Sequence, residues 1–182
     1  MFEPKNLDVS MAIVVADENT NKINETLRYN CKIFDKYEKI IITNNLKFDY
    51  FNDEKLNKIY TKSFKVLENY DIALRNCNTE WCFLLHAGTC LNFDVINILS
   101  KYITSDTDIL FPVKNRIYEF IKNPLNGLLI NKKIYNKIGL FWKDNPENII
   151  KLLWAFDAVR KGCLFKAIVG INMWKVTYGI NN

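Results

Sequence analysis

Short runs of apolar residues alternate along the chain with segments in which apolar residues recur every three or four positions. The runs are Met11–Ala16, Ile40–Thr43, Ile59-Tyr60, Trp81–Leu85, Ile109–Val113, Gly127–Ile130 and Leu164–Val169. Unbroken apolar runs of this length, rich in β-branched residues, are typical of strands buried on both faces. The pattern therefore predicts a series of buried strands.

The segments between these runs predict helices, because their apolar residues return to one face of a 3.6-residue period. Three predicted helices have an apolar stripe: Ile23, Leu27, Cys31 and Phe34; Leu67, Tyr70, Leu74 and Cys77, with the helix at Lys65–Asn76; and Val95, Ile96, Leu99 and Tyr102, after a cap at Asn92. Two further predicted helices are Lys132–Ile138, which ends before Gly139, and a helix that starts at Asn145 and ends at Gly162. Strands that alternate with helices predict one α/β domain over residues 1–182, with a mainly parallel mixed sheet flanked by helices.

Composition excludes disorder and adds only a weak hint about partners. The chain has 182 residues, of which 49% are hydrophobic and 25% are charged, as in ordinary globular domains. Its formal net charge of +5 is spread along the whole chain. A mildly basic, solvated surface is the simpler interpretation, and weak attraction to phosphate-bearing partners is the alternative.

The cysteines argue against a zinc site. Cys31, Cys77, Cys82, Cys90 and Cys163 form no CxxC pair, and the chain has a single histidine to join them. Several lie in apolar segments, where cysteine acts as a small buried hydrophobe. We therefore expect a reducing, cytoplasmic compartment. We also expect no membrane span, because no apolar run approaches the length that crosses a bilayer.

The run Trp81–Leu85 leads directly into His86, the only histidine of the chain, and then into Ala87 and Gly88. In an open α/β sheet, ligands bind outside the carboxyl ends of the strands. This position makes His86 and Gly88 candidates for a binding site. The alternative is that His86 is a half-buried structural residue, as a histidine that closes an apolar strand commonly is.

Two common nucleotide motifs are absent from the chain. No GxGxxG follows the first predicted strand, and no GxxxxGK[ST] occurs anywhere. The sequence thus lacks specific support for a Rossmann dinucleotide site or a P-loop. Polar residues do follow the first two strands, with Asp17 and Glu18 after the first and Asn44 after the second, and such an edge suits a nucleotide base and ribose.

The order of segments resembles that of family 2 glycosyltransferases, which use nucleotide sugars and have the GT-A fold. The resemblance lies in AIVVADEN (Ala12–Asn19), KIIITNN (Lys39–Asn45), NYDIALRNCNTEWCFLLHAGTCL (Asn69–Leu91) and NGLLINKKIYNKIGLF (Asn126–Phe141). The helix LLWAFDAVRKG (Leu152–Gly162) then stands where the family has its Glu-Asp catalytic pair. Together these segments cover most of the chain in the family's order.

The resemblance, together with position in the predicted sheet, assigns a role to each candidate residue; Asp17 matches no fixed acid of the family and is a candidate through its place beside the second strand. Those expected to contact the nucleotide-sugar donor are Asp17, Glu18, Asn44, Asn69, His86 and Gly88; those expected near the acceptor are Gly127, Trp142 and Trp154. Asp157 would be the base that takes the proton from the acceptor hydroxyl during direct displacement. The acceptor would be a glycan, a protein or a nucleic acid. Asp157 could instead be a surface acid paired with Lys161 at i+4, and the tryptophans could simply pack in the core.

One departure from the family concerns the metal. Where the family has a metal-binding Asp-x-Asp, this chain has His86-Ala87-Gly88, which offers no carboxylate to Mn²⁺ or Mg²⁺. If donor diphosphate binds without this metal, the glycine turn leading into the Asn92-capped helix could supply backbone N–H groups. His86 could donate a hydrogen bond, and Lys114 or Arg116 could neutralise charge on the leaving group.

Two other functions remain open at the level of sequence. The loss of Asp-x-Asp is compatible with a catalytically inactive GT-A-like domain that binds a partner or a nucleotide sugar. The positive net charge is compatible with a nucleic-acid-binding α/β module, although no localised basic and aromatic cluster accompanies it.

Overall fold

A computed structural model of the chain describes residues 9–14, 28, 33, 35–43, 56–63, 66–87, 89–91, 95–113, 127–134, 157–169 and 173–175. Its strands are β1 (Val9–Val14), β2 (Glu38–Thr43), β3 (Leu56–Tyr60), β4 (Trp81–His86), β5 (Thr89–Leu91), β6 (Thr107–Val113), β7 (Leu129–Asn131), β8 (Leu164–Val169) and β9 (Met173–Lys175). Its helices are α1 (Val66–Asn76) and α2 (Val95–Ser100). Residues 157–160, before β8, are also helical. These elements confirm the predicted α/β class, and the predicted helix with Ile23, Leu27, Cys31 and Phe34 lies largely outside the described residues.

Seven strands form one sheet in the order β3-β2-β1-β4-β7-β6-β8, and β5 and β9 form a separate pair. The sheet is mainly parallel, as predicted, because only β7 runs against its neighbours β4 and β6. The chain first builds outward from β1 through β2 to β3 and then returns to place β4 on the other side of β1. The boundary between β1 and β4 is therefore the point where the strand order reverses.

The core lies on both faces of this sheet, because alternate side chains of each strand point to opposite faces. One face carries Cys82 and Leu84 of β4 beneath α1, and the other carries Phe83 and Leu85 of β4 beside α2. All four side chains have a relative exposure of 0%. A central strand buried on both faces explains why this segment reads as an unbroken apolar run.

Helix α1 follows the predicted pattern closely. Its stripe of Leu67, Tyr70, Leu74 and Cys77 is buried against the sheet. Glu68 lies in its first turn and Arg75 in its last, each with the sign that favours the helix dipole. The helix precedes a parallel strand, so it begins near the carboxyl edge of the sheet and ends near the amino edge.

The end of the helix before β8 also matches the sequence-based prediction. Gly162 has a φ of 76°, in the left-handed region that favours glycine. The N–H of Gly162 donates to the Val159 carbonyl over 3.0 Å, and that of Cys163 donates to the Ala158 carbonyl over 2.9 Å. These two bonds form a Schellman cap. The chain then enters β8, whose first N–H, of Leu164, donates to Oδ2 of the buried Asp108 over 3.0 Å.

Three local predictions were wrong. The turn after β4 does not lead directly into a helix, because β5 (Thr89–Leu91) comes first; Asn92, the predicted cap, lies outside the described residues. β8 is not the last strand, because β9 (Met173–Lys175) follows it and pairs with β5. Tyr102 does not face the core: α2 ends at Ser100, and Tyr102 is 42% exposed.

Two expectations about the environment can be compared with the described residues. Cys77, Cys82 and Cys163 are free thiols, and all three are buried. Within the described ranges, no helix combines the length and the apolar character needed to cross a membrane.

A matched pair of leucine substitutions tests the position of the core. Leu84→Ala empties a fully buried site in β4, and we expect it to lower the free energy of unfolding by about 2–5 kcal/mol. Leu164→Ala removes the same atoms from a side chain that is 46% exposed, and we expect a loss of less than about 1 kcal/mol. Urea denaturation of both variants measures the difference, and equal losses would contradict the assignment of β4 as the central strand.

Candidate functional site

The carboxyl ends of β1, β2 and β4 lie side by side. Val14 of β1 is in register with His86 of β4 on one side and with Ile42 of β2 on the other. Neighbouring strands are about 4.8 Å apart, so these three ends span roughly 10 Å. Because the strand order reverses between β1 and β4, a crevice outside these ends is the expected ligand site of an open α/β sheet.

His86 lies at the centre of this edge. It is the last residue of β4 and is half-buried, unlike the five fully buried residues before it. Its Nδ1 lies 3.0 Å from the carbonyl oxygen of Ala87. Because a carbonyl oxygen can only accept, this bond places a proton on Nδ1, and in the neutral ring Nε2 is then the acceptor. The ring is thus oriented by its own backbone at the end of the strand.

Gly127 lies on the other side of β4 from β1. Its N–H donates to the Leu84 carbonyl over 2.7 Å, and the N–H of Leu84 donates to the Leu128 carbonyl over 2.8 Å. These bonds extend the contact between β4 and β7 toward the carboxyl edge. Gly127 has a φ of 83°, which is strained for other residues. Gly127 is therefore bonded to the residue two positions before His86, and its predicted contact with an acceptor stays a prediction.

Asn69 lies in the first half of α1, near the same edge, and is fully buried. Its side-chain nitrogen donates to the Ser63 carbonyl over 3.3 Å. Ser63 in turn donates through its hydroxyl to the Glu68 carboxylate over 2.5 Å. The Asn69 side chain thus fixes the loop that follows β3. Asn69 lies near the candidate site, and its described bond is to this loop.

Sequence reasoning did not single out this loop. The N–H of Thr61 donates to the carbonyl of Thr43, the last residue of β2, over 2.9 Å. The bond fixes Thr61 and Ser63 next to the end of β2. The signal available in the sequence was a Thr-Lys-Ser segment directly after a predicted strand, a position that points to the carboxyl edge.

Asp157 lies elsewhere in the molecule. It is within two helical turns of Cys163, which leads into Leu164 at the start of β8. Leu164 pairs with Thr107, the first residue of β6, so this end of β8 is at the amino edge of the sheet. His86 is at the opposite edge, and a six-residue strand separates the two edges by roughly 16 Å. The structure does not bring Asp157 together with His86.

Both carboxylate oxygens of Asp157 are already paired. Oδ1 lies 2.9 Å from the Arg160 guanidinium, and Oδ2 lies 2.8 Å from the Lys161 ammonium. The hydrogen bond from Lys161, followed by that from Arg160, holds the pKa of Asp157 below its usual value. A base must gain a proton readily, and these partners oppose that. The geometry favours the paired surface acid that the sequence offered as the alternative.

Several candidates lie outside the described residues. They are Asp17, Glu18, Asn44, Gly88, Trp142 and Trp154, together with Lys114 and Arg116. Asp17 comes three positions after Val14, the end of β1, and Asn44 comes directly after Thr43, the end of β2. The structure describes these two strand ends and their proximity, but not the two side chains. Their contacts with a ligand stay predictions.

The predicted anion cradle at this edge falls partly outside the described residues. The glycine turn was expected to run into a helix capped by Asn92, but β5 (Thr89–Leu91) lies between Gly88 and Asn92. Asn92 and the backbone N–H groups that follow it directly are not described, so their contribution stays a prediction. The described residues also contain no group of three His, Cys, Asp or Glu side chains that could hold a metal ion.

Comparison with known proteins supports the fold without identifying a family. No protein-family model matches the chain, and no curated protein matches its sequence. The chain is similar in structure to a mannosyltransferase from Pyrobaculum calidifontis in complex with GDP-Man and Mn²⁺, with a TM-score of 0.74 and 14% identity over 97% of this chain and 59% of that one.

It is also similar to residues 1–349 of TarS from S. aureus. The TM-score is 0.66 both for TarS alone, at 12% identity, and for its complex with UDP, at 14% identity. Each match covers 89% of this chain and 58% of TarS 1–349. The chain therefore spans less than two thirds of the length of these proteins. Together the similarities show a GT-A fold.

A charge-removing substitution tests the role assigned to Asp157. We expect Asp157→Asn to lower the thermal midpoint slightly at pH 7, because two ion pairs are lost. Since the folded-state pKa is depressed, this contribution is present above the unfolded-state pKa and is lost as the pH falls below about 4. Thermal melts at pH 7 and pH 3 measure it, and the difference between the variant and the parent should be smaller at the lower pH.

Asp106→Asn is the matched control for this substitution. Asp106 is exposed, and its described contact is with the neighbouring Ser105 hydroxyl at 3.1 Å. The Asp106→Asn substitution should leave the thermal midpoint unchanged at both pH values. An Asp157→Asn effect no larger than that of the control would show that the two ion pairs contribute nothing.

Proposed function

We propose that this chain transfers a glycosyl group from a nucleoside diphosphate sugar to an acceptor hydroxyl. The observation that carries the proposal is the reversal of strand order between β1 and β4, with Val14 and His86 in register at the carboxyl edge of a GT-A fold. This edge is where such a fold can hold a nucleotide. The nucleotide ligands of the similar structures, GDP-Man and UDP, make this ligand class the first to test.

The proposed reaction is a substitution at the anomeric carbon of the donor sugar. The acceptor oxygen forms a bond to that carbon, and the bond from the carbon to the β-phosphate oxygen breaks. The electron pair of the broken bond leaves with the nucleoside diphosphate, and the proton of the acceptor hydroxyl passes to a base. Negative charge therefore grows on the diphosphate during the reaction and must be stabilised by the site.

The proposed contacts with donor and acceptor divide between the two sides of β4. On the side of β1 and β2 we place the base and ribose of the donor, with Asp17, Glu18 and Asn44 as proposed contacts. At the end of β4 we place the diphosphate next to His86, which donates to it from Nε2 when the ring is protonated. On the side of β7 we place the acceptor, next to Gly127.

Mn²⁺, which accompanies the donor in the similar mannosyltransferase, does not fit the described residues here. Such a cation needs several hard oxygen ligands. The end of β4 and the start of β5 supply His86, Ala87 and Thr89, and no carboxylate. We therefore derive no step through a metal ion. The Asp157 carboxylate, at the opposite edge and doubly paired, is likewise not assigned as the base.

A second function is supported by the chemistry of the described residues and by the position of Asp157. A domain that binds a nucleotide sugar without turnover needs neither a metal ligand set nor a base beside the anomeric carbon. The described residues show no metal ligand set, and the one acid proposed from the family's pattern lies at the far edge. This alternative shares the binding site of the first proposal and differs from it only in turnover.

Nucleotide binding is the first expected outcome. At a concentration one hundred times its dissociation constant, a ligand stabilises the folded state by about 2.7 kcal/mol. For a domain of this size we expect a rise of roughly 5–10 °C in the thermal midpoint with UDP, GDP or their sugars. The measurement is a thermal melt with and without Mn²⁺, followed by detection of released nucleoside diphosphate.

The outcomes of this experiment separate the candidates. A thermal shift with release of diphosphate supports the transferase. A shift without release, in the presence of varied acceptors, supports the binding domain. No shift with any nucleotide, together with salt-sensitive retention of DNA or RNA, would contradict both and favour the nucleic-acid module.

Substitution of His86 tests the position of the diphosphate. A hydrogen bond to a charged group contributes about 1.5–3 kcal/mol, so we expect His86→Ala to weaken binding of the nucleoside diphosphate about tenfold or more. His86→Gln retains a side-chain donor and should lose less. Isothermal titration of both variants measures this. A lower melting temperature without loss of affinity would instead assign His86 to the structural role.

A further inference from the structure

We infer that Glu68 reads the base of the donor and selects a guanine nucleotide. The inference rests on the proposed function, because it names the class of nucleotide that the proposed site takes. The similar structures contain GDP-Man in one case and UDP in another, so they leave the base open. The observations behind the inference are the position, the hydrogen bond and the exposure of the Glu68 carboxylate.

Glu68 lies near the carboxyl ends of β1 and β2. It is in the first turn of α1, which begins near the carboxyl edge and contacts both of these strands. Leu67, next to it in the helix, packs in the same core cluster as Ile40 and Ile42 of β2. The packing of α1 on the sheet therefore sets the position of Glu68.

A chain of hydrogen bonds links the Glu68 side chain to the end of β2. The N–H of Thr61 donates to the carbonyl of Thr43, the last residue of β2, over 2.9 Å. The N–H of Ser63 donates to Oγ1 of Thr61 over 3.0 Å, and the Ser63 hydroxyl donates to Oε2 of Glu68 over 2.5 Å. The carboxylate is thus held in one orientation beside this strand end.

The oriented carboxylate keeps capacity to accept further hydrogen bonds. An ionised carboxylate has about four acceptor sites, and Ser63 occupies one of them. Oε1 of Glu68 has no hydrogen-bond partner among the described residues, and the side chain is half-buried rather than enclosed. A ligand with N–H or O–H donors can therefore bind to it.

The distance from His86 matches the base of the nucleotide rather than its diphosphate. The end of β2 is two strand positions from the end of β4, or roughly 10 Å. The ribose joins the base to the diphosphate, so a donor with its diphosphate at His86 extends its base past β1 toward β2. This separation is also about one Debye length, so Glu68 and the diphosphate repel each other only weakly.

The other described acids are not placed to do the same. Asp71, one turn further along α1, is 1% exposed. The remaining described acids lie toward the amino edge, because each precedes a strand or is one of its first two residues: Asp35, Glu38, Glu80, Asp106, Asp108 and Asp157. In the described part of the chain, Glu68 is the accessible acid at the carboxyl edge.

A carboxylate at this place favours one base over the others. It only accepts hydrogen bonds, so it pairs best with a base edge that carries two adjacent donors. Guanine has such an edge, where N1–H lies next to the N2 amino group. In uracil, N3–H lies between two carbonyl oxygens that repel a carboxylate. In adenine and cytosine, the amino group lies next to an acceptor nitrogen. The chemistry of Glu68 therefore selects guanine.

The test measures binding of GDP, IDP and UDP by isothermal titration. IDP has the same N1–H as GDP and lacks the N2 amino group. We expect the parent to bind GDP about tenfold or more tightly than UDP, with IDP between them. Glu68→Gln can still accept from Ser63, but it replaces one acceptor oxygen with an N–H donor. We expect it to weaken GDP binding about tenfold or more and to leave UDP binding within about threefold of the parent.

Glu80→Gln is the matched control. Glu80 accepts a hydrogen bond from the side-chain nitrogen of Asn131 over 2.9 Å, and it directly precedes β4 at the amino edge. The same chemical change at this position should leave the affinities for all three nucleotides as in the parent. Thermal melts without ligand show whether each variant keeps the stability of the parent.

Each outcome decides the inference. A preference for GDP in the parent that is lost in Glu68→Gln and kept in Glu80→Gln supports it. A parent that binds UDP as tightly as GDP would overturn it and leave the proposed function intact, and this comparison needs no variant. GDP binding by Glu68→Gln within twofold of the parent, or equal weakening of GDP and UDP, would also overturn it and assign Glu68 to holding the loop after β3. Failure of the parent to bind either GDP or UDP would overturn the proposed function and this inference together.

Discussion

The parallel pairing of β1 with β4 is the constraint on which the rest of the structure depends. These strands are hydrogen-bonded along their whole length, from Val9 beside Trp81 to Val14 beside His86. Because β4 is buried on both faces, a shift of one residue would move Phe83 and Leu84 to the wrong faces of the sheet. The apolar core therefore sets the register, and the register sets which polar residues meet at the edge.

The two edges of the sheet have different chemical characters. At the amino edge, described acids and bases pair with one another, as Asp157 does with Arg160 and Lys161, and as Asp108 does with Lys133 at 3.5 Å. Such pairs hold elements together. At the carboxyl edge, β4 ends in a half-buried imidazole and a turn without acids. Glu68 also lies near this edge, and its described partner is the Ser63 hydroxyl, not a basic side chain.

Sequence patterning predicted the central strands and α1 well, because each buries a regular stripe or an unbroken apolar run. It missed β5 and β9, since three-residue strands show no periodicity and their partners are nearly half the chain apart. It misplaced Tyr102 by extending a helical period beyond Ser100. The apolar run also predicted correctly that His86 closes a buried strand, although its role stays a prediction. Asp157 was proposed as the base from the order of segments along the chain. That order does not reveal how far along its helix a residue lies from the carboxyl edge of the sheet.

The β5–β9 ladder has a consequence for synthesis of the protein. Thr89 is made early and Lys175 late, so this ladder closes only after nearly all the intervening chain has left the ribosome. Contacts between such distant residues carry a large loop-closure entropy and form slowly. The sheet can assemble from β1 to β4 while translation continues. A nascent chain would therefore hold a folded scaffold before the strand pair beside the end of β4 has closed.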